Sequence, residues 1–262
     1  MLKKSRLRVG TVSSELAGES MFLSGERRVD VIVSALRDHQ PDVLLTAGHS
    51  LENGDDLTEL GKILGESDWG GLLFVEVKRY DGGLKEVQAI RSSSSHCLFA
   101  WTKEAKGGSW QCMGRQYFAT SQQVKNEAQK GSDGLVDQFF ANLPNRLVEF
   151  RGKKFGGLIC GEINALQGRD NVLAISSKIG DWFRSLDVIV NPTHDRMGNY
   201  GTVKAKRIWL SELGRAYISS SNWNTEKGQN RTPTLHSVFV DGEQIAQVPF
   251  SNKTYEYREA WI

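Results

Sequence analysis

Gly156-Gly157-Leu158-Ile159-Cys160-Gly161-Glu162 is the stretch on which the reading of this 262-residue chain turns. An apolar run delivers a cysteine to its end, and the backbone then turns on a glycine with a carboxylate just beyond. A strand that stops at a thiol beside an unhindered amide suits a nucleophile. The sulfur is held by a rigid element, and nearby N–H groups can meet the charge that develops during attack on a carbonyl or nitrile. The plainer reading is a small buried hydrophobe.

Outward from that stretch, the apolar pattern alternates between strand-like runs and helical periods. Leu7 to Val12 reads as a strand, and Val29, Ile32, Val33 and Leu36 fall on one helical face. Val43-Leu44-Leu45 is a doubly buried strand after Pro41. Leu57, Leu60 and Leu64 mark a second helix, and Leu72 to Val77 a third strand. Residues 97–118 read as a hairpin centred on Gly107-Gly108, and Ser121 to Gly134 as a polar surface loop. Strands recur at Arg146–Phe150, Phe155–Ile159 and Asp187–Val190. A helical face runs through Val172, Ile175, Ile179 and Phe183. A helix near Val203 to Leu213 leads into Ala216 to Ser220, and Ser237–Val240 with Ile245–Val248 reads as a final hairpin over Asp241-Gly242. No linker or repeat divides the chain, so residues 1–262 are expected to form one α/β domain.

Hydrophobic content of 39% with 24% charged residues fits a globular protein. A net charge of +2 argues against a dedicated nucleic-acid binder. Cys97, Cys112 and Cys160 are few and widely spaced, as expected of reduced thiols in the cytoplasm. No apolar h-region follows the basic start, and no run approaches membrane-spanning length, so neither a signal peptide nor a membrane partner is expected.

The order of these segments resembles the nitrilase-like carbon–nitrogen hydrolase superfamily over nearly the whole chain. Its strongest block runs from Phe155 to Trp223: the Cys160 stretch, then Asp187-Val-Ile-Val-Asn191-Pro192-Thr193, Arg215-Ala216-Tyr217-Ile218 and Ser221-Asn222-Trp223. The resemblance implies a four-layer α-β-β-α sandwich, a homodimer paired through an outer helical layer, and a small amide or nitrile as substrate. It also implies that Cys160 forms a thioester, with neither metal nor organic cofactor. A glutamate base and an oxyanion-binding lysine would complete the family's set. This chain departs from it: Gly48 stands at the glutamate position and Gln116 at the lysine position.

Substitutes are at hand. Gln116 keeps amide N–H groups for an oxyanion, alongside the Gly161 amide. Glu127 matches a further family glutamate. His49, beside the vacated base position, titrates near neutrality and could accept the thiol proton, although a loop histidine in solvent is the plainer reading. Glu52 and Lys125 are lesser substitutes. Glu162 fits either a substrate contact or a turn-holding role. Thr193 and His194, with Asp195 following, stand at a strand's carboxyl end where ligands collect.

Two rival readings remain. Pro41-Asp42 with Glu76-Val77-Lys78 matches the Pro-Asp…Glu-x-Lys pattern of restriction-like nucleases, whose carboxylates would hold Mg²⁺. A binding or scaffold protein that keeps the fold without its chemistry is the other.

Overall fold

The computed structural model describes residues 6–13, 25–80, 96–104, 107–127, 134–194, 200–222, 236–252 and 254–262. Its helices are α1 (Gly25–His39), α2 (Gly54–Glu66), α3 (Ser121–Glu127), α4 (Leu135–Asn142), α5 (Ser177–Arg184) and α6 (Tyr200–Ser211). The strands in the first half are β1 (Arg8–Ser13), β2 (Val43–Thr46), β3 (Leu51–Asn53), β4 (Leu72–Arg79), β5 (Cys97–Glu104) and β6 (Gly107–Arg115). Then come β7 (Leu147–Phe150), β8 (Lys153–Gly157), the short pair β9 (Leu166–Gln167) and β10 (Leu173–Ala174), β11 (Val188–Thr193) and β12 (Ala216–Ser221). The last are β13 (His236–Val240), β14 (Glu243–Gln244), β15 (Val248–Ser251) and β16 (Glu256–Trp261).

These strands make two large sheets. One runs β15-β16-β1-β2-β4-β5-β6, with β3 on the end of β4; the other runs β14-β13-β12-β11-β8-β7. In each, three central strands are parallel: β1, β2 and β4 in the first, β8, β11 and β12 in the second. Strand alternation then sorts the side chains into layers. Val9, Val43, Leu45, Leu72 and Phe74 from the first sheet pack against Phe155, Val188, Val190 and Ile218 from the second. The opposite face of the first sheet packs on α1 and α2 through Val29, Ile32, Leu36, Leu57, Leu60 and Leu64. The outer face of the second packs on α4, α5 and α6 through Phe139, Ile179, Phe183 and Leu210. The result is the expected α-β-β-α sandwich.

Four local readings need correction. Ser121–Glu127 is helical because Thr120 and Gln123 form a capping box: the Thr120 hydroxyl accepts from the Gln123 amide at 3.2 Å, and the Gln123 side chain accepts from the Thr120 amide at 3.1 Å. Val172 and Ile175 precede α5, which begins only after Ser176 caps the Ile179 amide. The final hairpin closes on Glu243–Gln244, and Val248 belongs to β15 in the other sheet. Strand β16, not anticipated from the pattern, pairs β1 along its whole length.

His236 on β13 lies between the sheets with its Nδ1 3.3 Å from the Ser220 hydroxyl. Burial, helped by nearby Arg258, pushes its imidazole down to about 3. It is neutral in the fold and protonated in the unfolded chain below its ordinary value of 6.5. Stability therefore falls as pH drops from 6.5 toward 3, by up to about 1.4 kcal/mol per pH unit from this group. Urea unfolding of a His236→Leu variant should show a shallower acid slope over that window; an unchanged slope would refute the assignment.

Candidate active site

Parallel strands in both sheets end at the same edge of the sandwich, and the chemistry-bearing residues stand at those ends. Strand β8 runs on through Leu158 and Ile159 to Cys160, which opens a short 3₁₀ helix, Cys160–Ala165. Cys160 adopts φ 44°, the left-handed region that a non-glycine residue occupies only when its surroundings enforce it. Those surroundings are visible. Glu162 accepts the Ile159 amide at 2.9 Å and the Tyr117 amide at 2.9 Å, while Arg146 grips both its carboxylate oxygens at 2.6 and 3.0 Å. A Cβ on Gly161 would collide with the Ala119 carbonyl, so this turn admits only glycine. The Cys160 thiol itself is half-buried, on a rigid turn.

Glu76 follows Leu72 and Phe74 on the inward face of β4 by strand alternation, which sends a carboxylate into the space between the sheets. It is fully buried. His194, directly after β11 in the other sheet, meets it with Nε2 2.6 Å from Glu76 Oε1. The same imidazole lies close enough to Cys160 for the sulfur to favour its protonated form. Burial opposes a proton on His194, but the Glu76 carboxylate and Cys160 outweigh it and lift the group to about 11. Glu76 shows the converse: burial opposes its charge, yet His194 holds it down to about 2. Cysteine, histidine and glutamate thus lie side by side, the histidine bonded to the carboxylate.

Two more histidines crowd the carboxylate. His49, after β2, stacks on the His194 ring at 3.9 Å, with Nε2 3.9 Å from Glu76 Oε1. His96, just before β5, brings Nδ1 to 3.3 Å from the same oxygen. His49 is turned inward, not into solvent, with φ 56°. That strained backbone is pinned on all sides. Arg28 of α1 donates to the His49 carbonyl at 2.7 Å, Asn222 donates to the Gly48 carbonyl at 3.0 Å, and the Gly48 amide donates to the Thr193 carbonyl at 2.9 Å. Burial pushes His49 down to about 3, leaving its ring neutral.

Gly48 is therefore no vacancy. A Cβ there would lie 2.5 Å from the Thr193 carbonyl oxygen and 2.6 Å from His194 Cδ2. Backbone cannot yield cheaply, so restoring the family's glutamate by Gly48→Glu should destabilise the fold by at least the 1–3 kcal/mol typical of overpacking. Thermal melting checks this; a Gly48→Glu protein melting like wild type would contradict the packing.

Other expected site residues are placed differently. Glu162 holds the turn, engaged by Arg146 and two backbone amides, as its turn-holding reading has it. Thr193 is buried, and its hydroxyl donates to the Ser220 carbonyl at 3.1 Å. Gln116 is buried, its side-chain amide 3.5 Å from the Phe118 carbonyl, and its backbone amide donates to the His96 carbonyl at 2.9 Å. Glu127 closes α3, but its side chain and all of Asp195 lie outside the described residues. Lys125 is exposed on α3.

The nuclease constellation does not assemble. Asp42 accepts the Arg8 amide at 2.8 Å and pairs with Arg151. It sits beside Leu72 at the start of β4, about 13 Å of strand from Glu76. Lys78 pairs with Glu52 at 3.4 Å, as do Arg28 and Arg79. No helix among the described residues is long and apolar enough to cross a membrane. His96 carried no sequence signal, and Glu76 and His194 were singled out for unrelated reasons.

The four-layer sandwich is the fold of solved nitrilase-superfamily carbon–nitrogen hydrolases. Among solved structures it is similar to an amidase from Nesterenkonia sp. (9% identity, TM-score 0.54, covering 99% of this chain and 92% of that one). It is also similar to XC1258 from Xanthomonas campestris, a CN-hydrolase superfamily protein with an arsenic adduct in its active site (10% identity, TM-score 0.55, 97% and 90% covered). A third is a glutamine-dependent NAD(+) synthetase from Cytophaga hutchinsonii (12% identity, TM-score 0.54), where the match covers 98% of this chain but 43% of the synthetase. A variant of the Nesterenkonia amidase carries the acetamide moiety of fluoroacetamide on its active-site cysteine. No family model matches the chain, and no curated protein matches its sequence.

Proposed function

We propose that the chain is a cysteine-dependent hydrolase of non-peptide C–N bonds, acting on a small amide or nitrile, in which His194 and Glu76 carry the proton work. The observation that supports it is the His194 imidazole bonded to Glu76 at 2.6 Å with the Cys160 sulfur beside it. A nucleophile, a base within reach and a third group orienting the base make up the arrangement that activates cysteine elsewhere.

On an amide, the Cys160 sulfur attacks the carbonyl carbon while its proton rests on His194. The Gly161 amide, with Gln116 as a second donor, receives the oxyanion. As the C–N bond breaks, His194 gives its proton to the leaving amine and a thioester remains. Water then attacks the thioester, His194 takes a proton from that water, and the acid leaves as the thiol is regenerated. Glu76 stays ionised and holds the ring. Glu127 and His49 are not needed as the base in this scheme.

Incubation with fluoroacetamide followed by intact-mass spectrometry tests the reading. A single adduct mapping to Cys160, absent in Cys160→Ala, is expected; no adduct under conditions that modify free thiols generally would overturn it. The absence of the family's glutamate and lysine favours a second reading, a binding protein on the same fold, which predicts that overturning result. The homodimer remains part of the proposal and is checked by sedimentation. A reducing, cytoplasmic setting accords with three cysteines that form no disulfide.

A further inference from the structure

We infer that His49, Glu76, His96 and His194 form a binding site for one divalent first-row transition-metal ion. This goes beyond the hydrolase reading: an ion seated there would replace the His194–Glu76 hydrogen bond, so the proton relay belongs to the metal-free protein.

The argument begins with unmet polar groups. Glu76 is fully buried, and its Oε2 has no hydrogen-bond partner. His49 Nε2 and His96 Nδ1 are likewise buried without a partner of acceptable geometry, although both face the same carboxylate. Orphaned polar atoms of this kind are rare in folded proteins. Here three of them converge on one point. A single ion seated among them would take up both ring nitrogens together with the Glu76 carboxylate.

Spacing agrees. One ligand atom from each of the four residues can be chosen so that all lie within 4.8 Å of one another. Four ligands about 2.0–2.1 Å from a tetrahedral zinc would stand about 3.4 Å apart. The 3.3 Å between His96 and Glu76 already matches that figure. The 3.9 Å from His49 need only close by a few tenths of an ångström, and the 2.6 Å from His194 open by a little more.

Donor chemistry selects the ion. Three imidazoles and one carboxylate suit zinc, iron, cobalt, nickel or copper, whereas magnesium and calcium demand oxygen ligands and retained water. The ligands are also held before any ion arrives. His49 is fixed by the Arg28, Asn222 and Thr193 contacts around it. His96 is fixed by the Gln116 amide on its carbonyl, and Glu76 by the Ser50 hydroxyl, which accepts its amide at 3.1 Å and donates to its carbonyl at 3.2 Å. Cys160 touches His194 from outside the set.

The test uses the full chain, stripped with chelator and dialysed against zinc or cobalt. One equivalent of zinc per chain is expected by elemental analysis, with visible cobalt d–d absorption and a raised melting temperature. His96→Gln and Glu76→Gln should each weaken binding by at least about 100-fold. Cys160→Ser should retain the ion. If a variant fails to fold, the wild-type stoichiometry and cobalt spectrum decide. Wild type holding no zinc after dialysis would overturn the site. So would binding lost in Cys160→Ser but kept in His96→Gln.

Discussion

Replacing His194 with alanine, in protein freed of metal by chelator, is expected to lower hydrolysis of a small amide by about 10²–10⁴, the usual worth of a positioned acid–base group. The loss should appear in kcat more than in KM, because the imidazole moves protons in the reaction and does not hold the resting substrate. Alkylation of Cys160 by iodoacetamide should slow in the same variant, since the base no longer sits against the thiol. Glu76→Gln should fall between wild type and His194→Ala: the ring keeps a neighbour but loses the charge that steadies its protonated form. A His194→Ala enzyme with unchanged turnover would remove the histidine from the mechanism and return the base to Glu127.

Arg146→Met should be the most destabilising single change in the second sheet. All five guanidinium N–H groups are used: two on Glu162, and one each on the Gly157 carbonyl at 3.0 Å, the Arg115 carbonyl at 2.6 Å and Asn142 at 3.0 Å. Neither partner of the ion pair is exposed. Removing one member of such a pair strands the other and costs about 3–5 kcal/mol. The urea midpoint reads the loss. Arg146→Met combined with Glu162→Met should recover part of it, since the stranded charge is gone, and that non-additivity identifies the pair as the source. A simple sum of the two single losses would argue against it.

Much of the sandwich was legible because its parallel strands are buried on both faces and read as unbroken apolar runs. Val43-Leu44-Leu45 and Val188-Ile189-Val190 are of that kind, and the helical spacing of Leu57, Leu60 and Leu64 was equally plain. The misses have physical causes. Val172 and Ile175 keep a helical period with Ile179, but they pack on the same cluster from an extended segment. Strand β16 mixes Glu256, Arg258 and Glu259 with Tyr257 and Ala260, so hydropathy hid a strand that the pairing with β1 makes certain.

The site was half legible. Cys160 announced itself through its neighbours. The partnership of His194 with Glu76 could not, because those residues belong to different sheets, and only the stacking of one sheet on the other brings them together. His49 was noticed for standing next to a lost glutamate. The reason it matters is the carboxylate on β4, which sequence order places nowhere near it. Glu162 attracted attention by lying two residues from the thiol, whereas its partner Arg146 gave no sign of being buried.

The hydrogen bond from Gly48 to the Thr193 carbonyl also bears on the order in which this protein's residues can change. With that clasp made and His194 folded over it, position 48 has no room for a longer side chain. A Cβ there would meet the Thr193 carbonyl oxygen at 2.5 Å as well as His194 Cδ2 at 2.6 Å, so losing the histidine alone would not make room; the backbone clasp would have to open as well.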